Sequence, residues 1–470
     1  MRRERSPATV MVLVAVALLA GCAGSVATGT PGATGGGWPP VPATAGPTPT
    51  PPPASAPSTP EPTATLLPTP SPAVTLAPTP VPTPSPTPAA ARWVPAGNMN
   101  LARSYFAAVA LADGTVLVVG HDNTCTPGGA NEDSVEAELY DPADGPWSST
   151  SPLNAPRDGF AAVRLRDGRV LVTGGYTGVT ATAGVLAYSS ARVYDPKTGT
   201  WSKPGLMHVA RYQPSASVLA DGRVLVAGGV YADENSFDTR ASAELFDPKT
   251  GKWSVTGAMK TARSAAPAVT LQDGRVLVVG GVDSDGKPLR SAEAFDPGTG
   301  RWSSTGSLAT ARAGFTLTLL PDGTVLVVGG DPGGSWANEK PLASAERFDP
   351  STGKWSPAAA MGTPRTLHVA ALLGDGRVLV AGGNDRALEA AGTSEDGFPP
   401  PTASAEIYDP VNDSWTPTTP MASPRAAAAA VTLTDGSVLV TGGYGSWGPL
   451  STPYCPDELA TAERYVPGGE

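Results

Sequence analysis

Residues 157–175 read RDGFAAVRLRDGRVLVTGG, and residues 192–201 read RVYDPKTGTW. An arginine opens the first stretch, an Asp-Gly pair begins ten residues later at Asp167, and a double glycine follows at Gly174 and Gly175. The second stretch sets Tyr194 in a Tyr-Asp-Pro triplet and Trp201 seven residues beyond it. Asp-Gly between apolar runs signals a tight hairpin, because the two-residue turn needs positive φ. Val170-Leu-Val is apolar throughout, which suits a strand covered on both faces. Asp195 to Gly199 supplies a second turn. The unit therefore reads as four short strands, a to d: a ends before Asp-Gly, b ends at the glycines, c carries the aromatic and d the tryptophan.

The same spacing recurs seven times. The arginines are Arg103, Arg157, Arg211, Arg263, Arg312, Arg365 and Arg425, each followed ten residues later by the Asp of an Asp-Gly pair. The double glycine follows in six copies; in the first copy His121 stands at its second position. The aromatics are Tyr140, Tyr194, Phe246, Phe295, Phe348, Tyr408 and Tyr465. The tryptophans are Trp147, Trp201, Trp253, Trp302, Trp355 and Trp415. One four-stranded meander cannot bury both faces alone and must stack on like neighbours. Closing the series into a ring leaves no unpaired end. The last copy has no tryptophan after Tyr465, but Trp93 lies ten residues before Arg103, the usual distance. The segment of Trp93 is thus expected to be strand d of the last unit.

The double glycine, aromatic and tryptophan at fixed distances resemble kelch repeats, over residues 92–470. The resemblance implies an all-β, seven-bladed kelch-type β-propeller with four-stranded antiparallel blades, closed by an N-terminal strand in the last blade.

Composition agrees with short strands and turns: 55 Gly and 52 Pro in 470 residues exclude a long-helix protein. A formal charge of −10 argues against nucleic acid as a partner. Residues 1–21 read as a signal peptide: Arg2, Arg3 and Arg5 precede a thirteen-residue uncharged run from Ala8 to Ala20. At ~1.5 Å per residue that run is short of a bilayer core of ~30 Å. Leu19-Ala20-Gly21-Cys22 resembles the bacterial lipobox, which implies a lipidated Cys22 and export as a membrane-anchored lipoprotein on the extracytoplasmic side. Residues 22–91 then form a Pro/Thr-rich disordered linker, with 21 prolines between Pro31 and Pro88 and one charge, Glu61, from Ala23 to Ala91. It is a spacer of polyproline II character, open to glycosylation on its threonines.

All variation in repeat length falls between the glycines and strand c, so the b–c loops of one rim are the expected binding surface, on a rigid frame. They carry His121, Tyr176, Tyr231, Trp336, Tyr444 and Trp447, of which Trp336 and Trp447 lie outside the tryptophan register. Two readings stay open: an aromatic platform for a carbohydrate or protein ligand, or loops packing their own aromatics. The arginine series, Arg211 included, lies on the same rim. It is either a cationic ring for an acidic ligand or a set of frame pairs with Glu138, Glu244, Glu293, Glu346, Glu406 and Glu463, which begin strand c; the frame pairs are favoured because every blade has the arginine. The second copy has Arg192 in place of the glutamate, so positive charge is expected to collect at blade 2 and to make it the first place to look for an anion. Cys125 and Cys455 lie in loops of blades that adjoin in a closed ring, and a disulfide between them is expected outside the cytosol, the alternative being two free thiols. Asp283-Ser-Asp285-Gly reads as a turn, because it lacks the further ligands of a calcium loop.

The kelch resemblance also reaches a copper radical oxidase family, galactose oxidase. Such a site needs two imidazoles and two tyrosines around the metal. This chain has only His121, His208 and His368, and no pair is spaced as a copper motif. The expectation is a monomeric, non-enzymatic binding module without cofactor, set against a secreted copper oxidase or another carbohydrate-active enzyme.

Overall fold

The computed structural model describes residues 90–120, 135–145, 147–177, 185–233, 236–333, 340–385, 400–447 and 456–468. Residues 1–89, with the expected signal peptide, Cys22 and most of the linker, lie outside the described residues, as do Cys125, Cys455, His121 and Trp336.

Seven antiparallel sheets carry four repeat strands each. Blade 2 illustrates them: strand a is Asp158–Arg164, b is Val170–Thr177, c is Ala191–Asp195 and d is Thr200–Ser202, hydrogen-bonded in the order d-c-b-a. Each b strand lies between a and c and is covered by the neighbouring blades on both faces. Val116 to Val119, Val276 to Val279 and Val325 to Val328 are accordingly buried along their whole length. The core is a series of wedges between adjacent blades. One joins Val269, Leu277 and Ala292 of blade 4 to Phe315, Val325 and Phe348 of blade 5.

Blade 7 is composite. Its strands a to c are Ala429–Thr432, Val438–Thr441 and Thr461–Val466, and its outer strand d is Arg92–Asn98 from the other end of the chain. Trp93 pairs with Tyr465 in register, their ring centroids 5.2 Å apart. The expected closure is present.

The seven tryptophans link the outer strands. Each donates its indole N–H to a backbone carbonyl of the blade before it: Trp93 to Thr419 at 2.7 Å, Trp147 to Ala96 at 3.0 Å, Trp253 to Gly205 at 2.8 Å, and so on round the ring. Each indole, half-buried or in blade 3 buried, thus fills the wedge and satisfies its one donor at the same time.

At the other edge of the blades, the residue two positions after each arginine has φ between 50° and 63°, whether or not it is glycine: Tyr105, Gly159, Gln213, Ala265, Gly314, Leu367 and Ala427. This left-handed turn lets backbones meet. Ala427 N–H donates to Leu367 O at 3.0 Å, Leu367 N–H to Gly314 O at 2.9 Å and Ala265 N–H to Gln213 O at 3.0 Å. The double glycine serves the same closeness. A Cβ on Gly382 would sit 2.4 Å from the Arg425 carbonyl of the next blade, and Gly383 N–H donates to that carbonyl at 2.8 Å.

Candidate functional site

In a meander the b–c and d–a connections share one rim. The additions to the frame lie there, as the loop lengths imply. Blade 3 carries a hairpin of Val230–Ala232 with Phe237–Thr239, blade 7 one of Tyr444–Trp447 with Pro456–Glu458, and in blade 2 Leu186–Ala187 pairs with the end of strand b.

The aromatics of this rim divide. Tyr444 is buried rather than part of an exposed platform: it packs beside Tyr105 with centroids 6.1 Å apart, and its hydroxyl meets the Asn384 amide at 2.9 Å. Tyr176 is half-buried and stands edge-on to the buried Tyr212 at 5.1 Å. Tyr231 is half-buried under the Arg240 guanidinium at 4.7 Å, with its hydroxyl 2.6 Å from Asp233. Phe237 is 43% exposed, and its spacing in the sequence did not single it out. Trp447 takes its place in the blade 7 hairpin opposite Pro456.

The arginines are frame, as favoured. All seven are buried behind the backbone belt. Each reaches the first glycine of its own blade; Arg211, for example, donates to Gly228 O at 2.7 Å and Ser242 O at 2.9 Å. In six blades a terminal nitrogen also meets the strand c glutamate, at 2.6 Å for Arg103–Glu138, 3.1 Å for Arg211–Glu244 and 2.8 Å for Arg365–Glu406. The same carboxylate accepts backbone N–H groups from the d–a connection. Glu244 takes those of His208 at 2.7 Å and Val209 at 3.0 Å, and Glu406 those of Gly362 at 2.7 Å and Thr363 at 3.0 Å. Burial pulls Arg211, Arg263, Arg312, Arg365 and Arg425 below the ordinary guanidinium range, and the glutamates oppose it. Both terminal nitrogens of Arg211 are therefore paired inside the protein, its buried Nε is not, and the group is not presented to solvent.

Blade 2 differs. Arg157 keeps its carbonyl partners, Gly174 O at 2.9 Å and Ser190 O at 3.1 Å, and reaches the Ser190 hydroxyl at 3.0 Å. Its guanidinium lies 4.9 Å from the Tyr188 ring centroid. Arg192 turns its guanidinium to Asn154 Oδ1 at 2.7 Å and to its neighbouring carbonyl, Ala191 O, at 2.8 Å. Burial first, then the charge of Arg192, lower Arg157 to about 10, against the opposing influence of Tyr188. The positive charge expected at blade 2 is there. Tyr188 and Asn154 were not legible as its surroundings, because neither occupies a repeat position with a recognisable role.

The described histidines do not form a metal site. His208 Nδ1 lies 2.8 Å from Glu244, on the solvent side of a frame pair. His368 is buried in blade 6 with Nε2 on the Thr316 hydroxyl at 3.0 Å. It fills the position three residues after the arginine that Phe106, Phe160 and Phe315 fill in other blades, against the first glycine of the preceding blade. Among the described residues no three His, Cys, Asp or Glu side chains converge as metal ligands. Of the imidazoles that the copper site implied by the oxidase resemblance needs, the described residues hold His208 and His368, each engaged with another side chain, and His121 lies outside the described residues. Asp283 caps its own loop, accepting the N–H groups of Asp285 and Lys287 at 2.9 Å each, which is the turn expected there.

Burial first, then the Arg365 charge, lower His368 to about 3. The folded protein thus holds it neutral, while the unfolded chain takes up a proton below its ordinary value of ~6.5. Its contribution is fully present above pH 6.5 and falls by up to about 1.4 kcal/mol per pH unit between pH 6.5 and 3. Denaturation of His368→Phe and the parent across that range should show the variant gaining on the parent as pH drops. Parallel curves would disprove the burial assigned to this imidazole.

Comparison with known proteins places the chain. A family model described as Attractin/LZTR1 beta-propeller matches residues 185–447, more than half of the chain, and a Kelch motif model matches residues 159–205. Alpha-scruin of Limulus polyphemus is 27% identical over 199 residues, covering 42% of this chain and 21% of that protein. Kelch-like protein 15 of Danio rerio is 25% identical over 211 residues, covering 42% and 33%. A putative F-box/kelch-repeat protein of Arabidopsis thaliana is 29% identical over 164 residues, covering 33% and 44%. The chain thus spans less than half the length of these relatives. Among solved structures, a fungal alcohol oxidase of the AA5 family in complex with copper superposes with a TM-score of 0.61 at 20% identity, covering 80% of this chain and 76% of that one. The structure of YjhT superposes with a TM-score of 0.51 at 15% identity, covering 68% and 99%. At these identities the two structures share the fold. Seven blades with the kelch spacing and a family match over more than half of the residues lead to one conclusion: this chain belongs to the Attractin/LZTR1 beta-propeller family of kelch-repeat propellers.

Proposed function

We propose that the propeller is an extracytoplasmic binding module. In this reading Cys22 is its lipid anchor, residues 22–91 are its tether and the b–c rim is its contact face for an envelope protein or carbohydrate. Kelch propellers typically act as protein-interaction modules. The observation that carries the reading is the division of labour between frame and rim. In six blades the repeat arginine and glutamate pair inside the frame, whereas the departures from the repeat gather on one rim, with Phe237 exposed on the blade 3 hairpin.

The test is capture of envelope proteins and glycans by purified protein. A variant carrying Phe237→Ala, Trp336→Ala and Trp447→Ala should lose the captured partner and keep the parent's melting temperature. Val411→Ser, on the opposite rim at a residue 89% exposed, should leave capture unchanged. Equal capture by all three proteins would reject the b–c rim as the contact face.

A further inference from the structure

Six blades share one cradle. A buried arginine and the backbone N–H groups two and three residues before it meet a carboxylate, and in blades 3 to 7 the Ser or Thr two residues before the strand c glutamate accepts from the same arginine. In blade 7 the Glu463 carboxylate takes Ala422 N–H at 2.7 Å, Ser423 N–H at 3.3 Å and Arg425 at 2.8 Å. In blade 5 it takes one backbone N–H, that of Ala309, at 2.8 Å. Blade 2 keeps the cradle without the acid. Arg157, 1% exposed, meets Ser190 as its counterparts meet Ser242, Ser291, Ser344 and Ser404. The equivalent backbone donors are Asn154 and Ala155, whose N–H groups meet no acceptor among the described residues. Among the described residues no carboxylate pairs with Arg157 or Arg192. The b–c loop of this blade, residues 178–184, has no acidic residue in its sequence.

We infer that the blade 2 cradle formed by Arg157, Ser190 and the N–H groups of Asn154 and Ala155, with Arg192 at its mouth, binds a carboxylate supplied from outside the chain. A carboxylate accepts several N–H donors at once and is the acceptor that the arginine meets in six blades, with both backbone N–H groups in five of them and one in blade 5. Arg157 is already desolvated inside the folded frame, so the arriving anion is met by a fixed charge in a medium less polarisable than water. Arg192 adds a second cation at half-exposed depth, and Asn154 is open to solvent, which gives the ligand a way in. A free small carboxylate and the acidic side chain of a protein partner share this chemistry. The inference rests on the b–c rim as the contact face, but it is testable without any partner.

The experiment is a titration of the full chain with sodium acetate against sodium chloride at constant ionic strength. The readouts are the backbone amide resonances and the melting temperature. Saturable shifts are expected at Asn154 and Ala155 and not at Ala422 and Ser423, with a rise in melting temperature that chloride does not produce. Arg192→Glu supplies the missing acid from within. It should raise the melting temperature in the absence of acetate and weaken acetate binding at least tenfold. Arg192→Ala, which leaves the cradle intact, should still bind, more weakly than the parent. A short glutamate-containing peptide binding at least tenfold tighter than acetate identifies a protein side chain as the source, and equal binding identifies a small carboxylate. No saturable shift at Asn154 and Ala155, or acetate binding unchanged in Arg192→Glu, overturns the inference. Those outcomes leave the partner-capture experiment with its own answer, because capture by the blade 3 and blade 7 hairpins is read separately.

Discussion

Glu406→Ala will destabilise the propeller by about 3–5 kcal/mol, because it removes one partner of a buried pair and leaves the other charged. Arg365 has no exposure and Glu406 has 4%. Without the carboxylate, one terminal nitrogen of Arg365 keeps only the Ser404 hydroxyl at 3.2 Å, and the N–H groups of Gly362 and Thr363 lose their acceptor. The effect exceeds that expected of an exposed ion pair. Lys287 and Asp285, both largely exposed and 3.5 Å apart, are worth at most ~1 kcal/mol. Urea denaturation of Glu406→Ala and Asp285→Ala gives the comparison. A loss below 1 kcal/mol in Glu406→Ala would mean that the pair is not buried as described.

Gly382→Ala will be at least as costly, and its cause is steric. The residue sits at φ +69°, where an L side chain is already strained by roughly 1–2 kcal/mol. Its new Cβ would lie 2.4 Å from the Arg425 carbonyl and 3.3 Å from Met421 Cε. The carbonyl belongs to backbone that also accepts the Gly383 N–H, so it cannot withdraw without loosening the contact between blades 6 and 7. A loss of about 4 kcal/mol or failure to accumulate folded protein is expected, in the upper tail of single substitutions. Gly436→Ala is the control. Its φ is +80° but nothing lies within 4 Å of the added methyl group, so only the strain of the turn is expected. Equal losses in the two variants would show that the close approach of the blades is not what the double glycine provides.

Much of this frame is legible in the residues. The number of blades follows from seven arginines at fixed distance from Asp-Gly, and the composite blade from one tryptophan, Trp93, standing where the count required it. The Arg–Glu pairing was readable because both partners recur whatever the loop does. Less was legible at the rim. Tyr444 looked like a loop aromatic, but it follows the double glycine directly, and backbone pairing with Ala426 carries it inward. The belt of left-handed residues has no sequence signal, since Tyr105, Gln213 and Leu367 adopt a turn usually left to glycine. The donors of the blade 2 cradle are invisible for a related reason. Asn154 and Ala155 act through backbone N–H groups, which every non-proline residue has, and only the six glutamates elsewhere reveal what those groups face.

Every placement of rim and blade depends on the two distant strands meeting in blade 7. Hydrogen exchange followed by mass spectrometry tests this most directly, by comparing residues 92–98 with the strand d segments Arg301–Ser304 and Lys354–Ala358 of interior blades. Exchange of residues 92–98 as slow as in those strands, rising together with residues 461–466 on mild denaturation, is the result predicted. Complete exchange of residues 92–98 at the rate of an unprotected peptide, with residues 461–466 still protected, would contradict the closed seven-bladed ring.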